Sequence, residues 1–329
     1  MHRSEVAERL TAQLLAGEPA RTPVEVVERL LAVQAQDRRG FRLAIRARTH
    51  GLTAADVDRA LTDRSLVVSW LNRGTLHLVR AEDYGWLHAL TTPPLLNGNL
   101  RRLELEGIDE PAAERAVEAI VRALADDGPL TRKELGERVG PGLTANGALQ
   151  LVMRACLRGE AVRGPLRGNE HAYVLVRDWL GAAAPVDRDL ALTELARRYL
   201  AGHGPADERD LAKWAGIGLR DARRGLKAVA PNAPKAAPGP ELPPPRLLGA
   251  FDPLLLGWAS RAFVVGSAER VVTNNGLFRP IALVEGRAAG LWSLDRGEVV
   301  LEPFGRLTAA AAAALTTEAA DIVRFLGVS

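Results

Sequence analysis

Two glutamines, Gln34 and Gln36, flank Ala35 at the end of an apolar helical pattern, and Asp37-Arg38-Arg39-Gly40 follows them. An amide side chain offers a carbonyl acceptor and two N–H donors while staying uncharged. Such a pair can hold a water or a polar substrate group without donating a proton to it. Taken by itself, Gln-Ala-Gln closing a leucine-rich segment reads as a solvated helix end, because glutamine mostly sits on the surface. Five cations border it: Arg38, Arg39, Arg42, Arg46 and Arg48 form the densest basic cluster of the chain. That suits a polyanion whose reacting atom lies between phosphates, although arginine-rich composition alone gives the same cluster.

Geometry adds a condition. Residues two apart diverge on a helix and share a side in extended backbone. For both amides to face one site, the helix must end at or inside the motif.

Other chemistries find no support. There is no Walker loop, no HExxH and no GxSxG, and Gly216-Ile217-Gly218 lacks a third glycine and follows no strand. The six histidines are scattered, and one cysteine, Cys156, excludes an intrachain disulfide or a cysteine-cluster metal site. We expect no metal and no cofactor.

The 329 residues suffice for two or three domains, and 47% apolar with 25% charged residues is ordinary for a globular chain. A net charge of +3 and a pI near 9.3 neither demand nor oppose nucleic acid. Only four of the 43 basic residues are lysines. Arginine suits bidentate phosphate recognition, but the joint abundance of Ala, Gly, Pro and Arg points to codon bias as well. No charged-then-apolar leader and no bilayer-length apolar run occur, so a cytoplasmic location and no membrane partner are expected. The absence of coiled-coil heptads makes a monomer the default.

Helical spacing predicts helices over 4–16, from Thr22 to about Gln34, over 41–48 and from Thr53, followed by a turn and strand at Asn72–Val79. A helical unit closed by a small β element fits a winged helix. An internal repeat reinforces this. Gly128-Pro129 and Gly204-Pro205 each end a helix, a short helix follows (131–138; 207–215), and a third helix comes after a glycine-containing turn (144–157; 218–229). The first copy runs into a two-strand wing near 161–176, the second into a Pro-rich connector at 231–245. Strands are expected near 246–250, 261–266, 280–285, 288–293 and 298–302, with Gly286-Arg287 as a tight hairpin turn, before a helix at 308–325. The fold class is therefore α+β: three tandem winged-helix units (1–110, 111–182, 183–329) around a concave basic channel, the third with an enlarged antiparallel β region.

The helix 218–229 carries Arg220, Arg223, Arg224 and Lys227 at i, i+3, i+4 and i+7, a basic face over two turns. It is either solvated or a phosphate-facing helix that fixes position rather than reading sequence. The matching helix at 144–157 has only Arg154 as a cation and few base-reading side chains.

Four stretches in order carry a resemblance: Val33-Gln34-Ala35-Gln36-Asp37, Arg73-Gly74-Thr75-Leu76-His77-Leu78-Val79, Phe251-Asp252-Pro253-Leu254-Leu255-Leu256-Gly257 and Asn275-Gly276-Leu277-Phe278-Arg279-Pro280. Together the chain resembles the winged-helix family of AlkZ-like, azinomycin-resistance type DNA glycosylases, over nearly its full length. The family's Gln-apolar-Gln signature falls on Gln34 and Gln36. Ser260 before Arg261 departs from the acidic residue expected there, which puts a local salt bridge in doubt.

The resemblance implies a monofunctional DNA glycosylase for bulky alkylated purines, including interstrand crosslinks, in self-resistance or general repair. Its partner would be double-stranded DNA carrying alkylated bases. Gln34 and Gln36 would be catalytic, holding water against the sugar carbon. The DNA-contact set would be Arg38, Arg39, Arg42, Arg73, His77, Arg220, Arg223, Arg224, Asn274, Asn275 and Arg279, with the loop Thr273–Phe278 facing the duplex. The alternatives are a non-enzymatic winged-helix DNA-binding protein or regulator, which has no use for the two glutamines, and a scaffold for protein partners.

Overall fold

The computed structural model describes residues 3–328 apart from 141, 169, 183, 230–241 and 267–268; most of the expected Pro-rich connector lies outside the described residues. The chain is an α+β protein with antiparallel sheets. It begins with α1 (Arg3–Ala12), α2 (Pro23–Leu30), the two-residue strand β1 (Val33–Gln34) and α3 (Arg38–Arg46). Thr22 caps α2 by accepting the Glu25 amide, and Pro23 sits in the first turn, where its missing N–H has no helical partner to lose. The helix stops at Leu30 because Leu31 turns to φ 65°. Asp37 restarts it by accepting the Gly40 amide, so α3 begins ahead of the apolar pattern that starts at Phe41.

Next come α4 (Ala54–Thr62), β2 (Leu66–Leu71), β3 (Thr75–Arg80), α5 (Ala81–Thr91), α6 (Leu95–Leu105), α7 (Glu110–Asp127), α8 (Arg132–Val139), α9 (Ala145–Leu157), β4 (Ala161–Arg167), β5 (Glu170–Leu175) and α10 (Val176–Trp179). The remainder comprises α11 (Arg188–His203), α12 (Glu208–Ala215), α13 (Leu219–Val229), β6 (Arg246–Leu248), α14 (Pro253–Leu256), α15 (Ala262–Val265), β7 (Ile281–Val284), β8 (Arg287–Asp295), β9 (Glu298–Pro303) and α16 (Ala309–Leu326).

The chain divides into two compact units, Met1–Val57 with Leu192–Ser329, and Asp58–Ala191. In the second, strands lie in the order β3-β2-β4-β5. Leu66 pairs with Arg80 through to Leu71 with Thr75 around a turn in which Arg73 takes φ 56° and Gly74 φ 76°. After α5 and α6, the three helices α7–α9 lead into the β4-β5 hairpin, as the spacing indicated. Thr131 and Glu134 form a reciprocal capping box on α8, and Thr144 caps α9.

In the first unit the same three-helix order recurs in α11–α13, with an Asp207–Asp210 capping box on α12. A sheet β6-β7-β8-β9 follows. Its core gathers Val6, Leu10, Leu248, Trp258, Phe263, Ile281 and Leu291, while α16 packs on β6, β9 and α3. Two expectations need correcting. Residues 261–266 form no strand: Ala262–Val265 is one helical turn ended by Gly266 at φ 54°, because a four-residue apolar run fits either state and here buries Phe263 and Val264. The hairpin turn is Glu285-Gly286, with φ 50° and 77°, and Arg287 already pairs with Val284.

Candidate active site

Gln34 and Gln36 sit on a short bridge between two helices. Leu31, fully buried at φ 65°, ends the first helix, and Val33–Gln34 is extended. The helix thus stops ahead of the motif, and the two amides share a side. They touch: Gln34 Nε2 donates to Gln36 Oε1 at 2.6 Å. Gln34 is 6% exposed, whereas Gln36 is open to solvent.

The far end of the bridge is fixed by α3. Asp37 Oδ1 accepts the Gly40 amide, and Phe41 N donates to the Asp37 carbonyl at 3.1 Å. A Cβ on Gly40 would run into the Ala250 carbonyl, and one on Gly249 would meet Leu43 Cβ at 2.9 Å. Two glycines therefore let the start of α3 lie directly against the backbone beyond β6.

The arginine cluster divides by role. Arg39 is exposed and Arg38 half-buried. Arg42 is 5% exposed, donates to the Arg38 carbonyl at 3.1 Å and lies over the Phe41 ring. Arg46 is buried against Glu318 and Asp321 of α16 and the Leu247 carbonyl; burial lowers its pKa, opposed by the charge of Glu318. Arg48 is fully buried on Asp252. The last two clamp the fold and do not border a polyanion.

The loop after α15 is tightly built. Thr273 N donates to the Leu277 carbonyl at 2.9 Å, Leu277 N to Thr273 Oγ1 at 3.1 Å, and Val272 bridges Phe278. Phe278 lies 5.7 Å from the Phe251 ring with Arg261 over its face. Arg261, lacking the expected acidic neighbour, also donates to the Leu255 carbonyl at 3.2 Å. Asn274, Asn275, Leu277 and Arg279 remain exposed, Leu277 at 54%. On α13 the side chains of Arg220, Arg223, Arg224 and Lys227 are exposed, with Arg223 reaching Glu208 at 3.3 Å.

In the other unit, Arg73 is half-buried at its turn. His77 is 1% exposed, with Nδ1 3.0 Å from the Thr75 carbonyl. Burial, reinforced by the charge of Arg73, holds its pKa down at about 3. In this conformation His77 is a neutral interior group and presents no surface to a duplex. Helix α9 is buried through Leu151–Leu157, and its cation Arg154 is paired with Glu114 at 2.7 Å. It reads no bases.

Asp37 and Asp252 stand in the sequence motifs with no role assigned and Glu318 stands in none, yet each organises this region. The cap signal at Asp37 was available in its position before α3; the long-range partners of the other two left no local trace. Among the described residues no group of three or more His, Cys, Asp or Glu could hold a metal ion, and no helix is long and apolar enough to cross a membrane.

The family model described as DNA glycosylase AlkZ-like matches residues 27–325. The chain is 26% identical to an interstrand DNA cross-link repair glycosylase of Streptomyces sahachiroi, over 98% of this chain and 95% of that protein. The solved structure of the Streptomyces sahachiroi DNA glycosylase AlkZ aligns with a TM-score of 0.80 at 26% identity, covering 99% of this chain and 97% of that one.

Proposed function

The chain belongs to the AlkZ-like DNA glycosylase family, and from that premise we propose that it excises bulky or crosslinked alkylated purines with water positioned by Gln34 and Gln36. The observation that carries the reading is the 2.6 Å bond between the two amides on non-helical backbone, beside a solvent-facing Arg39. A guanine alkylated on its imidazole ring carries a positive charge and leaves as a neutral base. The water oxygen bonds to the sugar carbon as the glycosidic bond breaks. The bonding pair departs on the base nitrogen, cancelling its charge, and the water proton passes to solvent. No strong acid is needed, so neutral amides suffice to orient the water and stabilise the oxocarbenium-like charge. Losing one such preorganised contact typically removes about 2.7–4 kcal/mol of transition-state stabilisation.

Two consequences belong to the same reading. An unmodified base, a poor leaving group, stays attached, because the two amides supply no strong acid to protonate it. The motif holds no lysine for a Schiff base, so the backbone is not cut. A crosslinked base stays tethered to the opposite strand and cannot enter an ordinary flipping pocket. We therefore read the fold as three tandem winged-helix units around an open basic channel in the cytoplasm, working as a monomer. The relative named for interstrand crosslink repair supports the substrate class. The DNA contacts in this reading are the exposed Arg39, Arg220, Arg223, Arg224, Asn274, Asn275 and Arg279 and the half-buried Arg38 and Arg73. Buried Arg42 and His77 reach DNA only if the protein rearranges.

The test is to incubate the protein with a duplex containing N7-alkylguanine and count abasic sites. Activity lost in Gln34→Ala and Gln36→Ala while duplex binding persists supports the reading. Equal counts for wild type and the double variant refute it.

A further inference from the structure

The two glutamines are not equivalent. Gln34 is 6% exposed and commits its amide nitrogen to Gln36 Oε1. Gln36 is exposed, and its own amide nitrogen donates to no described residue. An amide oxygen has two lone pairs. Gln36 Oε1, holding one N–H from Gln34, keeps a second for a water O–H on the solvent side. The same water could reach Gln34 only by entering the interior.

Gln36 is also flanked by a second restraint. Asp37, the next residue, caps α3 through the Gly40 amide, and Gly40 is pressed on the Ala250 carbonyl. The backbone at Gln36 is therefore tied to α3 on one side, while the buried turn at Leu31 ties the other end of the bridge. A long side chain in water samples many rotamers; these anchors and the Gln34 N–H select one.

We propose that Gln36 is the glutamine that touches the attacking water, and that Gln34 and Asp37 are positioning residues acting through it. This rests on the glycosylase reading above. Because reacting atoms tolerate little displacement, about 1 Å costing on the order of a hundredfold in rate, loss of either restraint lowers the rate of excision more than it lowers affinity for DNA.

The experiment measures single-turnover excision of N7-methylguanine from a duplex at saturating protein, with affinity measured separately by fluorescence anisotropy. Gln34→Met, a neutral side chain of similar length without the donor, loses about a hundredfold in rate at unchanged affinity. Gln36→Glu still accepts the Gln34 N–H. It keeps excision within about tenfold and acquires a rate that falls as the carboxylate protonates near about pH 4–5. Gln34→Glu offers only acceptors, so Gln36 turns its amide nitrogen to the pair and its oxygen away from the water, and excision is lost. Asp37→Ala loses about tenfold or more, and Asp37→Asn, whose amide oxygen can still cap, restores most of it. Wild-type rates in Gln34→Met or Asp37→Ala would overturn the proposal, as would an inactive Gln36→Glu beside an active Gln34→Glu. A wild-type protein that releases no base at all would instead overturn the underlying reading.

Discussion

Arg48 and Asp252 meet in a bidentate ion pair, 2.9 Å on both arms, with neither side chain exposed. The remaining Arg48 hydrogens go to the Gln13 carbonyl, Gln13 Oε1 and the Ala44 carbonyl, so all five donors are used. Asp252 also accepts the Leu254 amide and caps α14. The Phe251-Asp252-Pro253 motif is thereby joined to the helix that follows the glutamine pair. Its acidic residue holds structure.

Removing one member leaves an uncompensated charge in the interior. Asp252→Ala should destabilise the protein by about 3–5 kcal/mol, read as a lower denaturant midpoint. Asp252→Asn, which still accepts the Leu254 amide, should lose less. An unchanged midpoint in Asp252→Ala would mean that the pair is not held as the structure places it.

His77 makes stability depend on acidity. Its folded pKa is about 3, against 6.5 in an exposed chain. Below pH 6.5 the unfolded chain takes up a proton that the folded one refuses, so stability falls as pH drops from 6.5 toward 3 and levels off beneath. The slope reaches about 1.4 kcal/mol per pH unit. Urea unfolding at pH 7 and pH 5 should therefore show the wild type losing roughly 2 kcal/mol more than His77→Gln. Parallel losses in the two proteins would contradict a neutral, buried His77.

The exposed cations of α13 should act on binding without reading sequence. Replacing Arg220, Arg223, Arg224 and Lys227 together by Ala should weaken binding to any duplex alike and flatten the dependence of log affinity on log salt by up to about 3–4. A sequence-dependent loss would mean that this face reads bases, and an unchanged salt slope would place it away from DNA.

Much of this architecture was legible because its signals are local. Thr22, Thr131 with Glu134, Thr144 and Asp207 with Asp210 mark helix starts by chemistry that reaches only three residues. The extended backbone at Gln34 followed from what two cooperating amides require. The arginine cluster was not legible in the same way. Whether an arginine faces DNA or an internal acid depends on residues 204 positions away for Arg48 and 272 for Arg46, and no periodicity encodes that. His77 shared this fate, since a single histidine in an alternating strand gives no sign of which face is covered. The segment 261–266 failed for a different reason: four apolar residues are too few to distinguish a helical turn from a strand.

Leu277 offers the last test. Leu277, 54% exposed, closes a tight loop opposite Thr273 just after the Asn274–Asn275 turn, and backbone bonds together with the Phe278–Phe251 contact hold it there. Gly276 at φ 74° makes the turn possible. The Phe251 side of that contact adjoins Ala250, against which Gly40 and the start of α3 rest, so the loop and the glutamine bridge are tied to one stretch of backbone. Rigid apolar side chains flanked by Asn and Arg are what opens a base step from the groove. Leu277→Ala should therefore slow excision from duplex DNA by about tenfold, part of the few kcal/mol that unstacking a base step costs, while leaving excision from single-stranded DNA and the melting temperature unchanged. Being exposed, the residue can be replaced without opening the core. Equal slowing on both substrates would place Leu277 in substrate binding generally, and no slowing on either would leave the loop without a part in opening the duplex.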